Sequence, residues 1–183
     1  MTGPDRRDLG RVFNEVPELY DRVRPAYPGE LFADLVAITG LDRRSPVLEV
    51  GCGTGQATRS LAAPGYPVTA IEPGAGMAAL ARRRLAAFGD VEAGSSAFGE
   101  WGDGGRRFDV LVAASAWHWA GPSIGWRRRM TCSIPGDGWR CPATLSSAGR
   151  VSRRCTPGPP ICTSGFPPAT PAGVIRRWRT RCG

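Results

Sequence analysis

Apolar residues recur at a spacing of three to four over residues 10–40. Phe13, Val16, Leu19, Tyr20 and Val23 fall on one face, which predicts an amphipathic helix. The break Arg24-Pro25-Ala26-Tyr27-Pro28-Gly29 ends it, and Leu31 to Ile38 begins a second helix. Beyond residue 41 the pattern changes to short apolar runs alternating with helical stretches. Val47 to Val50 reads as a buried strand, Thr54 to Ala63 as a helix stopped by Pro64-Gly65, and Pro67 to Ile71 as a second strand closing on Glu72. Ala75 to Ala87 is an alanine-rich helix, with Arg82, Arg83 and Arg84 near its end as a solvated basic terminus. Asp90 to Ala93 is a short third strand, and Phe108 to Ala114 a fourth, apolar enough to be buried on both faces. Strand and helix alternate at βαβ spacing, so the expected fold is α/β, a Rossmann-like doubly wound parallel sheet.

The first strand runs straight into Glu49-Val50-Gly51-Cys52-Gly53-Thr54-Gly55. Glycines between a strand and a helix let the backbone approach a ligand, and the helix start offers free N–H groups. A dinucleotide site would use G-x-G-x-x-G, but this chain has G-x-G-x-G with Gln56 at the third dinucleotide position. Glu49, two residues ahead of Gly51, would repel a pyrophosphate yet can hold an ammonium. Glu72 closes the second strand, 17 residues beyond Gly55, where a carboxylate can accept ribose hydroxyls. A ligand with an amino-acid end and an adenosine end satisfies both acids, which describes S-adenosyl-L-methionine. Cys52 reads as a small filler of the loop, not a nucleophile.

These residues carry a resemblance. Val47 through Gly55, followed by Val68-Thr69-Ala70-Ile71-Glu72-Pro73, is similar to the first two motifs of class I S-adenosylmethionine-dependent methyltransferases. Gly94-Ser95-Ser96-Ala97-Phe98 resembles the loop that contacts adenine, and Phe108 through Trp119 resembles the fourth strand of a small-molecule subgroup. Phe13, Tyr20-Asp21-Arg22 and Arg24-Pro25-Ala26-Tyr27-Pro28 are similar to that subgroup's N-terminal cap. The resemblance implies cofactor contacts at Glu49, Gly51, Cys52, Gly53, Gly55, Glu72, Pro73, Ser96, Ala97 and Ala114. It also implies a pocket for a small methyl acceptor lined by Tyr20, Arg24, Tyr27, Trp117 and Trp119. His118, the chain's one histidine, is the candidate general base for an oxygen or nitrogen nucleophile, whereas a carboxylate acceptor would need none. No metal ligation is expected. Plain packing of the Trp117-His118-Trp119 triplet against a neighbouring helix is the competing reading.

Composition changes the picture after Trp126. Residues 1–126 hold 13 Arg against 15 acids, while residues 127–183 hold 11 Arg against Asp137 alone. That last stretch also has five of the six cysteines and 15 Gly plus Pro, and the whole chain has no lysine. A nucleic-acid-binding arm rests there on charge, with sparse aromatics. A zinc module fails on spacing, with 8, 13 and 6 residues between Cys132, Cys141, Cys155 and Cys162. A third reading follows from the genetic code. If the frame slips by one base near codon 127, the junction of the Met130 and Thr131 codons spells Asp. The following codons then allow Asp-Val-Leu-x-Pro-Gly-Gly-Trp-Leu-Ala, and later Leu-Pro-Gly-Asp-Val-Val-Val. The first is like the Pro-Gly-Gly turn after strand 4 of such enzymes, and the second supplies an apolar fifth strand.

The organisation expected from sequence is therefore a helical cap over 1–40, a cofactor-binding core over 41–126, and an irregular, out-of-frame tail over 127–183. The family's strand order, 3-2-1-4-5-7-6, would be cut to strands 1 to 4, leaving strand 4 as an apolar edge. No run of 18 apolar residues occurs, and the start Met1 to Arg7 lacks the apolar centre of a secretory signal, so a cytoplasmic protein without a membrane partner is expected. The competing function classes are a nicotinamide oxidoreductase on the same fold and a nucleic-acid module using the tail. The acceptor, the oligomeric state and the competence of the tail are not legible.

Overall fold

Each strand of the α/β pattern pairs with its neighbours in one sheet. The computed structural model describes residues 12–119, 143–146 and 150–153. After a helical turn at 12–15, the elements are α1 (Pro17–Val23), α2 (Gly29–Thr39), β1 (Val47–Val50), α3 (Gln56–Ala62), β2 (Val68–Glu72), α4 (Ala75–Leu85), β3 (Val91–Ser95) and β4 (Val110–Ala114). A 3-10 turn at Trp117–Trp119 follows, then β5 (Ala143–Ser146) and β6 (Arg150–Arg153). The sheet order is β3-β2-β1-β4-β5-β6. All pairings are parallel except β5 with β6, which is antiparallel.

Alternation along the central strands fills both faces. Val47 of β1 and Val110, Val112 and Ala114 of β4 join Leu31, Leu35, Ala57 and Leu61 of α2 and α3 on one side. Leu48, Val50 and Leu111 join Ile71, Phe98, Trp101 and Phe108 on the other. Every residue of β1 and β4 is buried, as a parallel central strand covered on both faces requires. Chain direction reverses its order across the sheet between β1 and β4. The carboxyl ends of these two strands therefore frame the crevice where open α/β sheets take ligands.

Two sequence expectations need correction. The single amphipathic helix expected from residue 10 is interrupted at Val16, because Pro17 cannot continue the hydrogen-bond ladder and starts α1 afresh. Its apolar positions also face outward: Phe13, Val16, Leu19 and Val23 are all exposed, and Tyr20 alone of that set turns toward the body. The second correction concerns the expected bare edge. Ala143–Ser146 lies parallel to β4, with Val112 opposite Ala143 and Ala114 opposite Leu145. The unpaired N–H and C=O groups of β4 are strong enough acceptors of another strand that a segment with little apolar pattern fills the place. The expectation of an irregular, out-of-frame tail otherwise falls on 127–142, 147–149 and 154–183, which lie outside the described residues, as do 1–11 and 120–126.

Leu35 of α2 is fully buried between the helices and the sheet. Replacing it by alanine is expected to cost about 2–5 kcal/mol of unfolding free energy, read as a lower urea midpoint with an unchanged slope.

Candidate functional site

The site is built where β1 hands the chain to α3. Gly51, Gly53 and Gly55 all have left-handed backbone angles, with φ of +71°, +59° and +84°. At two of them close neighbours also crowd a side chain. A Cβ on Gly51 would lie 2.5 Å from the Ala116 Cβ, and one on Gly55 would lie 2.9 Å from Leu85 Cδ1. Ser115, also left-handed at φ +55°, turns the chain after β4 so that Ala116 meets Gly51. That conformation costs a side-chain-bearing residue about 1 kcal/mol, and it sets the spacing of the crevice. Gly55 also begins α3 as its N-cap.

Glu72 closes β2 and ties the loop down. Its Oε2 accepts the Gly53 N–H at 2.9 Å and its Oε1 accepts the Gly74 N–H at 2.9 Å. Burial raises its pKa, opposed by the bonds from Gly74 and Gly53. Its own carbonyl accepts the Ser96 N–H at 3.0 Å, which draws the loop after β3 to the same corner. There the Ser96 hydroxyl donates to the Ala97 carbonyl at 3.2 Å, and Phe98 is buried.

Glu49 is the least comfortable group in the fold. It is fully buried in β1. Its Oε2 accepts the Thr58 hydroxyl at 2.6 Å, and its Oε1 has no partner. Burial pushes its pKa up to about 7; the Thr58 bond works against this and the charge of Glu72 adds to it. A buried carboxylate oxygen left without a donor costs on the order of 1–3 kcal/mol, so the position favours a cationic or donating ligand.

A shallow, half-open cleft lies beside it. Tyr20, Arg24, Tyr27, Glu49, Gly51, Cys52, Gly53 and Ala114, all expected at the site, line it, and so do Thr54 and Gln56. The Tyr27 hydroxyl donates to the Ala114 carbonyl at 3.1 Å, pinning the cap to the end of β4. Arg24 lies 5.6 Å over the Tyr20 ring and reaches the Tyr27 oxygen at 3.5 Å. Cys52 packs with Ala70, Ala81 and Leu85, and burial holds its thiol well above the ordinary range, as a filler would be.

Gly55, Glu72, Pro73, Ser96, Ala97, Trp117, His118 and Trp119 stand outside this cleft. Glu72, Ser96 and Ala97 form the adjoining corner after β2 and β3, and Pro73 is exposed there. Trp117 packs against Phe98 with ring centroids 6.3 Å apart, whereas His118 and Trp119 are exposed and stacked on each other at 4.9 Å. The Arg82-Arg83-Arg84 run is more than a solvated end, because Arg84 pairs with Asp21 and Arg83 with Glu18.

Further contacts appear that sequence reasoning did not supply. Thr58 supports Glu49 from the first turn and a half of α3. Asn14 Oδ1 accepts the Gly76 N–H at 2.7 Å, capping α4 from a distant segment. Asp21 accepts the Thr54 hydroxyl at 2.5 Å, and Gln56 donates to its main-chain oxygen at 3.2 Å. The spacing of Thr58 from Glu49 is a local signal; the partners of Asn14 and Asp21 are more than 30 residues away and leave none. Among the described residues no cluster of metal-ligating side chains occurs, and no helix is long and apolar enough to cross a membrane.

Comparison with known proteins agrees with this geometry. Residues 47–128 match the family described as methyltransferase domain. An uncharacterised methyltransferase of Mycobacterium tuberculosis is 33% identical over 122 residues, 64% of this chain and 46% of that protein. Trans-aconitate 2-methyltransferase of Paracidovorax citrulli is 36% identical over 112 residues, 57% of this chain and 40% of that protein. The chain thus spans about half the length, or less, of the curated relatives it matches. Among solved structures, an S-adenosylmethionine-dependent methyltransferase of Thiobacillus denitrificans, determined with S-adenosyl-L-homocysteine, superposes with a TM-score of 0.55 at 25% identity, over 73% of this chain and 54% of that one. A glycopeptide N-methyltransferase shares the fold at a TM-score of 0.57 and 20% identity, over 67% of this chain and 54% of that one. Residues 47–128 are thus similar to a methyltransferase domain, carried on a sheet of Rossmann-like strand order.

Two outcomes check the geometry. Gly51→Ala must bear both the clash with Ala116 and the left-handed backbone, so about 2–3 kcal/mol of stability should be lost in urea unfolding; a variant as stable as the parent would contradict the close approach. Glu49 has a folded pKa near 7 against an ordinary value of 4.5, so the folded state binds the extra proton and the free protein loses stability as pH rises through that window. Glu49→Gln should therefore melt higher than the parent at pH 8, and the gain should vanish near pH 4.5.

Proposed function

We propose that the protein binds S-adenosyl-L-methionine in the cleft and transfers its methyl group to a small-molecule acceptor. The observation that carries this is the buried, half-partnered carboxylate of Glu49 in the cleft that the cationic Arg24 also lines. An acid and a base lining one cleft suit an α-amino acid, whose ammonium meets Glu49 and whose carboxylate meets Arg24. Glu72 fits the other end. Each of its oxygens takes one backbone N–H and keeps a lone pair for a ribose hydroxyl. Ser96 and Ala97, drawn to the Glu72 carbonyl, are then the residues along the adenine.

When bound, S-adenosylmethionine supplies an electrophilic methyl on a sulfonium, which an acceptor nucleophile displaces. The protein's part is to bind and to orient. The left-handed loop brings bare backbone to the ligand, and Tyr20, Arg24 and Tyr27 cover its amino-acid end and exclude water. His118 and Trp119 are exposed in the turn that follows β4, and we assign His118 as the base for an acceptor that must lose a proton. The likeness to a trans-aconitate 2-methyltransferase supports a small-molecule acceptor.

The Glu49 carboxylate favours the ligand only when ionised, so affinity should fall as pH drops through about 7. It should also fall above about pH 8, where the ligand's own amine loses its proton. Calorimetric titration of the full chain should show that bell, and Glu49→Gln should bind about tenfold more weakly with its acid limb lost. Tighter binding of NAD than of S-adenosylmethionine would replace this proposal with the oxidoreductase reading.

A further inference from the structure

The helix that carries Tyr20 and Arg24 to the cleft is not held by apolar packing. α1 buries none of its residues, and Leu19 and Val23 are 49% and 69% exposed. A helix of seven residues is too short to be stable alone, and without a buried apolar face it gains little from the hydrophobic effect. What docks it is its polar edge, and the contacts converge on Asp21. The Asp21 side chain is 7% exposed and paired with Arg84 of α4. It also accepts the Thr54 hydroxyl at 2.5 Å, while its main-chain oxygen accepts the Gln56 amide at 3.2 Å. One residue thus joins the cap, the glycine loop, the start of α3 and the end of α4.

The other ties do not replace it. Glu18 and Arg83 form an ion pair with both side chains 62% exposed, a kind of contact that contributes little. Asn14 and Tyr27 hold the chain before and after the helix, at Gly76 and Ala114, and leave α1 itself spanning between them. A buried ion pair is seldom more stabilising than apolar residues of the same size; its effect lies in fixing one arrangement over others.

We propose that Asp21 is a positioning residue that latches the cap closed, so that Tyr20 and Arg24 sit over the amino-acid end of the ligand. This rests on the cofactor reading given above. With little apolar surface to expose, the cap opens at low cost when Asp21 parts from Arg84 and Thr54. A ligand held by Glu49 in the sheet and by Arg24 in the cap touches both sides of that movement, so it binds the latched form and stabilises it. Thr54 belongs to the loop that Glu72 fastens at Gly53 and Gln56 begins the helix that follows it, so closing the latch also orders the loop that the ligand rests on.

The test compares the full-length parent with Asp21→Ala, Asp21→Asn, Arg84→Met and, as a control on the exposed pair, Arg83→Ala. Hydrogen exchange of the free proteins reads the latch, and stopped-flow dissociation of S-adenosylmethionine reads its effect. Asp21→Ala should speed exchange across 17–24 while β1 and β2 stay protected, and should release the cofactor about tenfold faster with little change in association. Asp21→Asn keeps an acceptor for Thr54 and should fall between, Arg84→Met should resemble it, and Arg83→Ala should match the parent. Unchanged exchange and release in Asp21→Ala would overturn the proposal. So would faster exchange spread through β1 and β2, which marks a general loss of stability. A parent that binds no S-adenosylmethionine removes the cofactor reading, and the exchange of 17–24 then still decides whether Asp21 holds the cap.

Discussion

Between β1 and α3 the backbone passes so close to Ala116 that only hydrogen fits at Gly51, and a side chain at Gly55 would have to push the end of Leu85 aside. Much of the site follows from this narrow passage. The loop must be left-handed at three glycines, and it is tied to β2, where the N–H groups of Gly51 and Cys52 donate to the Ile71 carbonyl and that of Gly53 donates to Glu72. The sheet order supplies the crevice, the glycines supply the approach, and α4 supplies the wall against which the loop turns.

Within that frame, the two carboxylates are stabilised very differently. Glu72 keeps both oxygens bonded to backbone N–H groups, and the protein itself satisfies it. Glu49 has one oxygen bonded and one bare, in a position without water's screening. The fold tolerates the cost because every other residue of β1 and every residue of β4 is an apolar side chain buried in the sheet. Stability is traded here for a fixed electrostatic demand, which is how a binding site differs from ordinary core.

Much of this was legible in the sequence, because the signals are local. A strand, three glycines and a helix in succession fix the loop, and the carboxylate at the end of the next strand fixes its partner. The central strands were legible for the same reason: Val47 to Val50 and Phe108 to Ala114 are apolar without interruption. What escaped depends on contacts between distant segments. The apolar spacing of Phe13, Val16, Leu19 and Val23 suggested a buried face, but the helix docks through Asp21, whose partners Thr54 and Arg84 lie far along the chain. Likewise Ala143–Ser146 has little periodicity of its own, and its place is set by the open hydrogen-bonding groups of β4. The corner that Ser96 makes with Glu72 was implied by resemblance and not by pattern.

The contact between Gly51 and Ala116 also bears on how such a site can change its preferences. Ala116 immediately precedes the turn that bears Trp117, His118 and Trp119, so the loop proposed to meet the donor and the turn proposed to meet the acceptor share one van der Waals surface. They are not separable modules. Grafting a different turn after β4, from a relative with another acceptor, can succeed only if the residue that meets Gly51 stays small, since any larger one displaces the donor loop as well. Diversity at the acceptor side is thereby confined to positions beyond 116, and a library that randomises 116 along with 117–119 will be dominated by proteins that no longer hold the donor.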